Sequence, residues 1–437
     1  MAHYVVNTKA QQEEMLKEVG LTWSDLLSTI PESVRLNREL NLPLGQSEME
    51  VLDKMVGFQD QNTVFKTVLR GAGSYRHFIP SVVKHLASRE EFVTTYTPYQ
   101  SEFSQGVLQS IFEFQTMISN LMGMDASNAS VYDGATAVAE AVNMTLDRKR
   151  VKALVAQTIH PETFETLTTY TTHLSTEVIT IPSVNGCIDL EWLKANVDDT
   201  TACVVIQQPN YFGCLEDTDT IGAFLKEKGI QFIVSVNPMT LGLLKRPRDY
   251  HATIAVGEAQ PFGLSTAFGG PYLGFMTTTD KMVRKLPGRI VGQTEDIDGK
   301  RAFALTLQAR EQHIRREKST SSICSNQAHC ALTAAIYMSA LGPQGLEEVA
   351  SLSYSKAHYF QSKLEALGFT LKYDQEFFHE FVTKTPIKAS LIETKCLEKN
   401  ILAGLVLAED EMMWCVTEVI SDDTLDQVLD ILAEVVS

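Results

Sequence analysis

Residues Thr94–Gly106 read TTYTPYQSEFSQG, a non-periodic run that brings Thr95, Tyr96, Tyr99, Ser104 and Gln105 close together. Aromatic side chains with polar tips on a loop offer stacking and hydrogen bonding at once, so the run is a candidate binding surface. A loop that wraps a neighbouring subunit would have the same composition. A second cluster, LTLQAREQHIRREKSTSSIC, packs Arg310, His313, Arg315, Arg316 and Lys318 into nine residues of an otherwise acidic chain. Guanidinium forks suit carboxylates, and their field attracts an anionic substrate or partner. Glu311 and Glu317 would instead pair them locally if the segment is only a solvated face.

Two glycine-containing stretches complete the candidates. In YDGATAVAEA, the residues Asp133, Gly134 and Thr136 open a helical pattern. Free amides, the helix dipole and a hydroxyl make an anion cradle there, although Asp133 would repel a dianion and small residues also serve ordinary capping. In AVGEAQPFGLSTAFGGPYLGF, residues 255–275, an apolar strand runs into a glycine-rich turn. In an open α/β sheet that is where ligands sit. Glu258 at the strand end is a candidate general base, or else a hydrogen-bonded structural group. From Arg246 to Asp280 there is no lysine, so a rim of this kind would lack an amine nucleophile. His313 has no second histidine at helical metal spacing, and the seven cysteines, odd in number and without a CxxC pair, fit reduced thiols. No metal site is expected.

The elements that must position these residues follow from periodicity. The first sixty or so residues carry helical patterns (EEMLKEVG, SDLLSTI, SEMEVLDKMVG) broken by Pro31 and Pro43, which reads as a helical arm. LQSIFEFQTMISNLMG places Ile111, Phe114, Ile118 and Leu121 on one helix face, with Gly123 as the stop. From about residue 130 helices alternate with short strands that are apolar throughout: KALVA, CVVIQ, QFIVSV and TIAVG. That alternation predicts a mostly parallel sheet covered on both faces. A long helix over 326–341 leads into a smaller α+β unit with a helix near 355–367, strands near FTLKY, FFHEFVT and MMWCVTEV, and a closing helix TLDQVLDILAEVV.

With 437 residues, 44% of them hydrophobic, the chain buries a large core and suggests two or three domains. A formal charge of −17 excludes the basic face that nucleic-acid binding requires. The opening MAHYVVNTKAQQEEML lacks a signal-peptide pattern and no apolar run reaches bilayer length, so no membrane partner and a cytoplasmic location are expected.

Taken together, TTYTPYQSEFSQGVLQSIFEFQTMISNLMGM, NASVYDGATAVAEA, VGEAQPFG with FGGPYLGF, and PGRIVGQTEDIDGKRAFALTLQAREQHIRREKSTSSIC resemble the signature blocks of the glycine cleavage system P-protein family, and within it the alpha subunit of the two-subunit bacterial form. GAGSYRHFIP fits too, and the resemblance covers nearly the whole chain. Arg76 and Phe103 depart from the residues commoner in the family. The resemblance implies a fold type I pyridoxal-phosphate-dependent architecture: a helical arm over 1–65, a large α/β domain over 66–325 and a small α+β domain over 326–437. It implies glycine dehydrogenase (decarboxylating) activity, in which glycine loses CO2 and its aminomethyl group passes to the lipoyl arm of H-protein.

The resemblance further implies a division of labour. The beta subunit carries the Schiff-base lysine at a strand end where this chain has GEAQPFG, around Gln260 and Pro261, and Asn237 stands where an aspartate usually holds the pyridine nitrogen. Pyridoxal phosphate is therefore expected on a beta partner, in a heterotetramer of two alpha and two beta chains. This chain would complete the interface site with Tyr96, Tyr99 and Gln105, supported by Thr95 and Ser104, while Arg310, His313 and Arg315 line the approach of the substrate carboxylate or H-protein. Asp133, Gly134 and Thr136 would be a vestigial phosphate site. Two alternatives remain: a self-sufficient enzyme using Lys245 or Lys281, and a non-catalytic scaffold for beta or H-protein.

Overall fold

The computed structural model describes residues 6–36 and 38–436. They form two compact units, divided between Val64 and Phe65. The first unit holds helices α1 (Lys9–Val19), α2 (Trp23–Leu26) and α3 (Glu48–Gln59). Each starts at a reciprocal capping box, Thr8 with Gln11, Thr22 with Asp25 and Ser47 with Glu50, which satisfies amides that the first turn leaves without partners. None of the three helices buries a residue.

The second unit is built on a seven-stranded sheet of β1 (Ala126–Ser127), β2 (Lys152–Ala156), β3 (Glu177–Ile181), β4 (Thr201–Gln208), β5 (Gln231–Val236), β6 (Ile254–Glu258) and β7 (Gly274–Thr278), in the order β1-β7-β6-β5-β4-β2-β3. The strands from β6 through β3 run parallel, whereas at one edge β7 pairs antiparallel with β6 and β1 antiparallel with β7. β2 and β7 are buried at every position, as strands covered on both faces must be. Sequence periodicity identifies the four apolar strands but not β3, or β7 within the glycine-rich segment.

Helices α4 (Gln105–Met122), α5 (Gly134–Thr145), α6 (Pro161–Thr171) and α7 (Thr218–Lys228) belong to the same unit. α4 buries Ile111, Phe114 and Ile118 as its spacing predicts, but in its last turn Met122 is buried and Leu121 stays half-buried. Gly123 ends it in the left-handed region at φ 69°. A two-stranded hairpin, β8 (Val291–Glu295) with β9 (Arg301–Leu305), packs on α4 and was not legible as a repeat of apolar strands because its outer residues are polar.

The expected helix over 326–341 is instead the first part of α8, Ala328–Ala366. Gly342 breaks it at φ 64° and ψ −177°, and helix resumes at once from Pro343, a residue whose missing N–H costs nothing in a first turn. A four-stranded antiparallel sheet follows, in the order β10 (Thr370–Leu371), β11 (Glu380–Lys384), β13 (Glu411–Cys415), β12 (Leu405–Ala408), backed by α9 (Ala389–Glu398) and α10 (Asp422–Val436). Phe360, Phe381, Trp414 and Leu425 centre its core. Among the described residues no helix is long and apolar enough to cross a membrane.

Candidate functional site

A cavity of about 620 Å³ opens beyond the carboxyl ends of β4, β5 and β6, where Gln207, Asn237 and Glu258 line it. Parallel strands deliver their ends to one side of the sheet, which is why the cavity lies there. The start of α5 forms one wall, His160 another, and the strap Ala72–Tyr75 closes over them. Among the described residues no lysine or arginine lines the cavity. Lys245 and Lys281 are not among its residues either, and Lys245 is paired at the surface with Asp219 at 2.5 Å.

Gln260 is buried, and its carboxamide is spent within the fold. Its Oε1 accepts from the Tyr75 amide at 2.9 Å, and its Nε2 donates to the carbonyls of Tyr75 at 2.9 Å and Leu264 at 2.8 Å. The residue at the expected lysine position is thus the anchor of the strap. The strap is held from its other side by Glu380 on β11, whose carboxylate accepts from the Ala72 amide at 2.7 Å and the Tyr75 hydroxyl at 2.7 Å. Burial pushes the Glu380 carboxyl up to about 7 despite those bonds. A Cβ on Gly71 would lie 2.4 Å from Glu380 Oε1, so only glycine lets the strap sit this close.

Asn237 caps the turn after β5, its Oδ1 accepting from the Met239 amide at 3.1 Å, while its Nδ2 has no partner. His160 Nδ1 accepts from the Glu162 amide at 3.2 Å, which leaves Nε2 to donate to the Ala72 carbonyl at 3.0 Å. At the start of α5, Asp133 Oδ1 accepts from the Thr136 amide at 2.7 Å, and the Gly134 amide donates to Glu258 Oε2 at 3.0 Å. Burial pushes Glu258 up to about 7, against the pull of its backbone hydrogen bonds.

The tyrosine loop and the arginine cluster, more than two hundred residues apart, meet around Arg289, a residue that sequence reasoning missed. The Arg289 guanidinium stacks on the Tyr99 ring at 4.5 Å, forms a short ion pair with Glu311 and donates to the Cys324 carbonyl at 3.1 Å. The Tyr99 hydroxyl donates to the same carbonyl at 3.2 Å. Three residues further on, Gln327 lines the cavity, so the two places adjoin through one chain segment. The only signal in the sequence was an arginine directly after Pro287-Gly288, too ordinary a pattern to single out.

The remaining candidates divide by exposure. Tyr96 is 96% exposed, Thr95 is half-buried, and Ser104 is buried with its hydroxyl donating to the Thr97 carbonyl at 3.3 Å. Gln105 clamps the backbone of Phe303 on β9, donating to its carbonyl at 2.8 Å and accepting from its amide at 2.9 Å. Its carboxamide is engaged inside the chain rather than offered outward. Arg310 donates to the Leu286 carbonyl, and its Nε and Nη2 are buried without a partner. Burial pulls this guanidinium below the usual arginine range. His313 Nδ1 stands 3.8 Å from Glu311 Oε2, whereas Arg315 is exposed.

Comparison with known proteins gives the family and the fold. The family model of the glycine cleavage system P-protein matches residues 2–432. A protein of Chlorobium luteolum named probable glycine dehydrogenase (decarboxylating) subunit 1 is 49% identical, over 99% of both chains. The crystal structure of a glycine decarboxylase (P-protein) of the glycine cleavage system, in inhibitor-bound form, superposes with a TM-score of 0.91 at 38% identity, over 99% of this chain and 100% of that one. A glutamate decarboxylase from Lactobacillus brevis, only 12% identical, shares the fold at a TM-score of 0.69 over 92% and 96% of the two chains. The architecture is that of fold type I pyridoxal-phosphate-dependent enzymes, and the chain belongs to the glycine cleavage system P-protein family.

Proposed function

We propose that this chain is the alpha subunit of a two-subunit glycine dehydrogenase (decarboxylating) and acts only with its beta partner, in a cytoplasmic heterotetramer. The pair decarboxylates glycine, releases CO2 and passes the aminomethyl group to the lipoyl arm of H-protein. The observation that carries this reading is the end-to-end match to proteins named subunit 1, combined with a cavity that no lysine among the described residues lines. That cavity does not suit pyridoxal phosphate. Gln260 stands bonded at the strand end, Asn237 supplies no carboxylate, and the Gly134 and Thr136 amides are taken by the chain's own acids. An imine needs an amine, so the cofactor, the electron sink of the reaction, is assigned to the partner.

The contribution of this chain is then presentation and binding. Tyr96 projects fully exposed from a loop whose base is fixed by Tyr99 and Ser104, so it reaches outward at low entropic cost. Thr95 stands beside it, and Gln105 holds the hairpin that supports the loop. Arg310, with the exposed His313 and Arg315, gathers positive charge that suits the glycine carboxylate or an acidic face of H-protein. The helices of the amino-terminal unit, which bury nothing of their own, leave apolar side chains such as Leu52 and Phe58 for a partner chain.

The test is exchange of labelled bicarbonate into the glycine carboxyl, with lipoylated H-protein present, for this chain alone, the beta chain alone and the mixture. Activity only in the mixture, lost in Tyr96→Ala while the complex still assembles, is the expected result. Exchange and an imine absorption band in this chain alone would refute the reading. Undiminished exchange with Tyr96→Ala and Tyr99→Ala together would reduce the chain to a scaffold.

A further inference from the structure

One carboxylate inside the cavity occupies a position built for an anion. Oε2 of Glu258 accepts from Gly134, the first residue of the twelve-residue helix α5, at 3.0 Å. Its Oε1 accepts from the amides of Leu273 at 2.7 Å and Gln260 at 2.9 Å. Backbone donors from three separate segments therefore converge on one carboxylate at the positive end of a helix, an arrangement that in general binds free phosphate or sulfate. The approach is close enough to depend on glycine. A Cβ at position 134 would lie 3.0 Å from both the Cβ and the amide nitrogen of Glu258.

The surroundings reinforce the point. The Thr136 amide is spent on Asp133, whose carboxylate adds a second negative charge at the same helix end. Among the described residues no arginine or lysine lines the cavity to balance a third. A missing lysine alone would still permit a phosphate ester to be held without a covalent bond, because phosphate recognition resides in the helix amides and not in the imine.

We propose that Glu258 is a built-in anion that fills the phosphate cradle of this cavity, so that the chain excludes phosphate esters and loss of this one carboxylate opens a phosphate site. The proposal rests on the reading that the cofactor belongs to the partner chain, and it supplies the physical cause. The amides of Gly134, Gln260 and Leu273 remain converged beneath the carboxylate.

The test uses the full-length chain at pH 8, with inorganic phosphate followed by phosphorus NMR and pyridoxal 5′-phosphate followed by equilibrium dialysis. The wild type is expected to show no saturable uptake. Glu258→Ala and the near-isosteric Glu258→Gln are expected to show saturable phosphate uptake, at a concentration on the order of 10- to 100-fold below that at which the wild type takes up any, the difference made by freeing charge-assisted hydrogen bonds. Phosphate and pyridoxal phosphate should compete for the new site. Amide exchange in a peptide covering 130–137, faster in Glu258→Ala, should slow again when phosphate is added. Wild-type chain that binds phosphate as tightly as the variants overturns the proposal, as does binding that leaves exchange in 130–137 unchanged. Should the alanine variant fail to fold, Glu258→Gln binding no tighter than wild type has the same force. An imine band on adding pyridoxal phosphate to the wild type would refute the assignment of the cofactor to the partner, whereas non-covalent uptake by the wild type would refute the carboxylate plug alone.

Discussion

Removing Arg289 should cost more than any other single change at the junction of the tyrosine loop and the arginine cluster. Its side chain is 10% exposed and that of Glu311 only 4%, so Arg289→Ala leaves a buried carboxylate without its cation. Breaking one side of such a pair costs about 3–5 kcal/mol, and the lost stacking on Tyr99 falls within that range. With an unfolding entropy of roughly 2.1 cal/mol/K per residue over a chain of 437, that is a fall of about 3–6 °C in Tm. Arg289→Met combined with Glu311→Leu removes both charges and keeps the volume, so the double variant should recover about 2–3 kcal/mol of the summed single losses. Scanning calorimetry and urea unfolding of the wild type, Arg289→Met, Glu311→Leu and the double variant give the coupling. Freed from the guanidinium, Tyr99 would no longer fix the base of the loop, and exchange activity of the mixture should fall in both Arg289 variants. Arg289→Lys should restore the charge but not the planar stack, and recover stability more than activity. A coupling below about 0.5 kcal/mol would mean that the two side chains do not act as a pair, and the reasoning fails.

Three further outcomes are expected. Gln105→Ala strips both backbone groups of Phe303 of their partner, and urea unfolding should register a loss of about 1–3 kcal/mol together with lower exchange in the mixture. Gly71→Ala drives a methyl to 2.4 Å from Glu380 Oε1 and 2.8 Å from Cys415 Sγ, and overpacking of this kind should lower stability by about 1–3 kcal/mol, visible as a lower melting temperature. Glu380, with its carboxyl near 7 in the fold against 4.5 for the free group, keeps a proton that the unfolded chain releases. Its contribution is complete below about pH 4.5 and is lost as pH rises through 7, to a limit of roughly 3 kcal/mol. The buried His379, pulled down to about 3, acts in the opposite sense as pH falls below 6.5. The urea midpoint of Glu380→Gln should therefore fall less between pH 6 and pH 8.5 than that of the wild type, and parallel profiles would contradict the assignment.

Much of the fold is written locally. KALVA, QFIVSV and the core of TACVVIQQ are strands because apolar, β-branched runs of that length bury both faces, and three-residue spacing of acid behind Thr22 and Ser47 is a capping signal that needs no tertiary contact. The absence of lysine from Arg246 to Asp280 is likewise a fact of one dimension, and an imine needs an amine. The family blocks carried the rest of the functional reading, since long ordered motifs survive where single residues are ambiguous.

Other features depended on segments that approach only after folding. Gly274–Thr278 reads as glycine-rich turn, yet it pairs antiparallel with β6 because the edge of the sheet offers it unpaired backbone groups. Gln260 looks like a vacancy for lysine in the sequence; the strap 185 residues away turns it into an anchor. Arg289 joins the tyrosine loop to the arginine cluster only because hairpin β8–β9 folds back on α4. Glu258 gathers donors from Gly134, Gln260 and Leu273, which no local spacing could predict. Hydrogen-bond donors act over about 3 Å, and chain separation says nothing about that distance; residue type and periodicity therefore determined the elements and the missing amine, while the partners of each polar atom were decided by the tertiary structure alone.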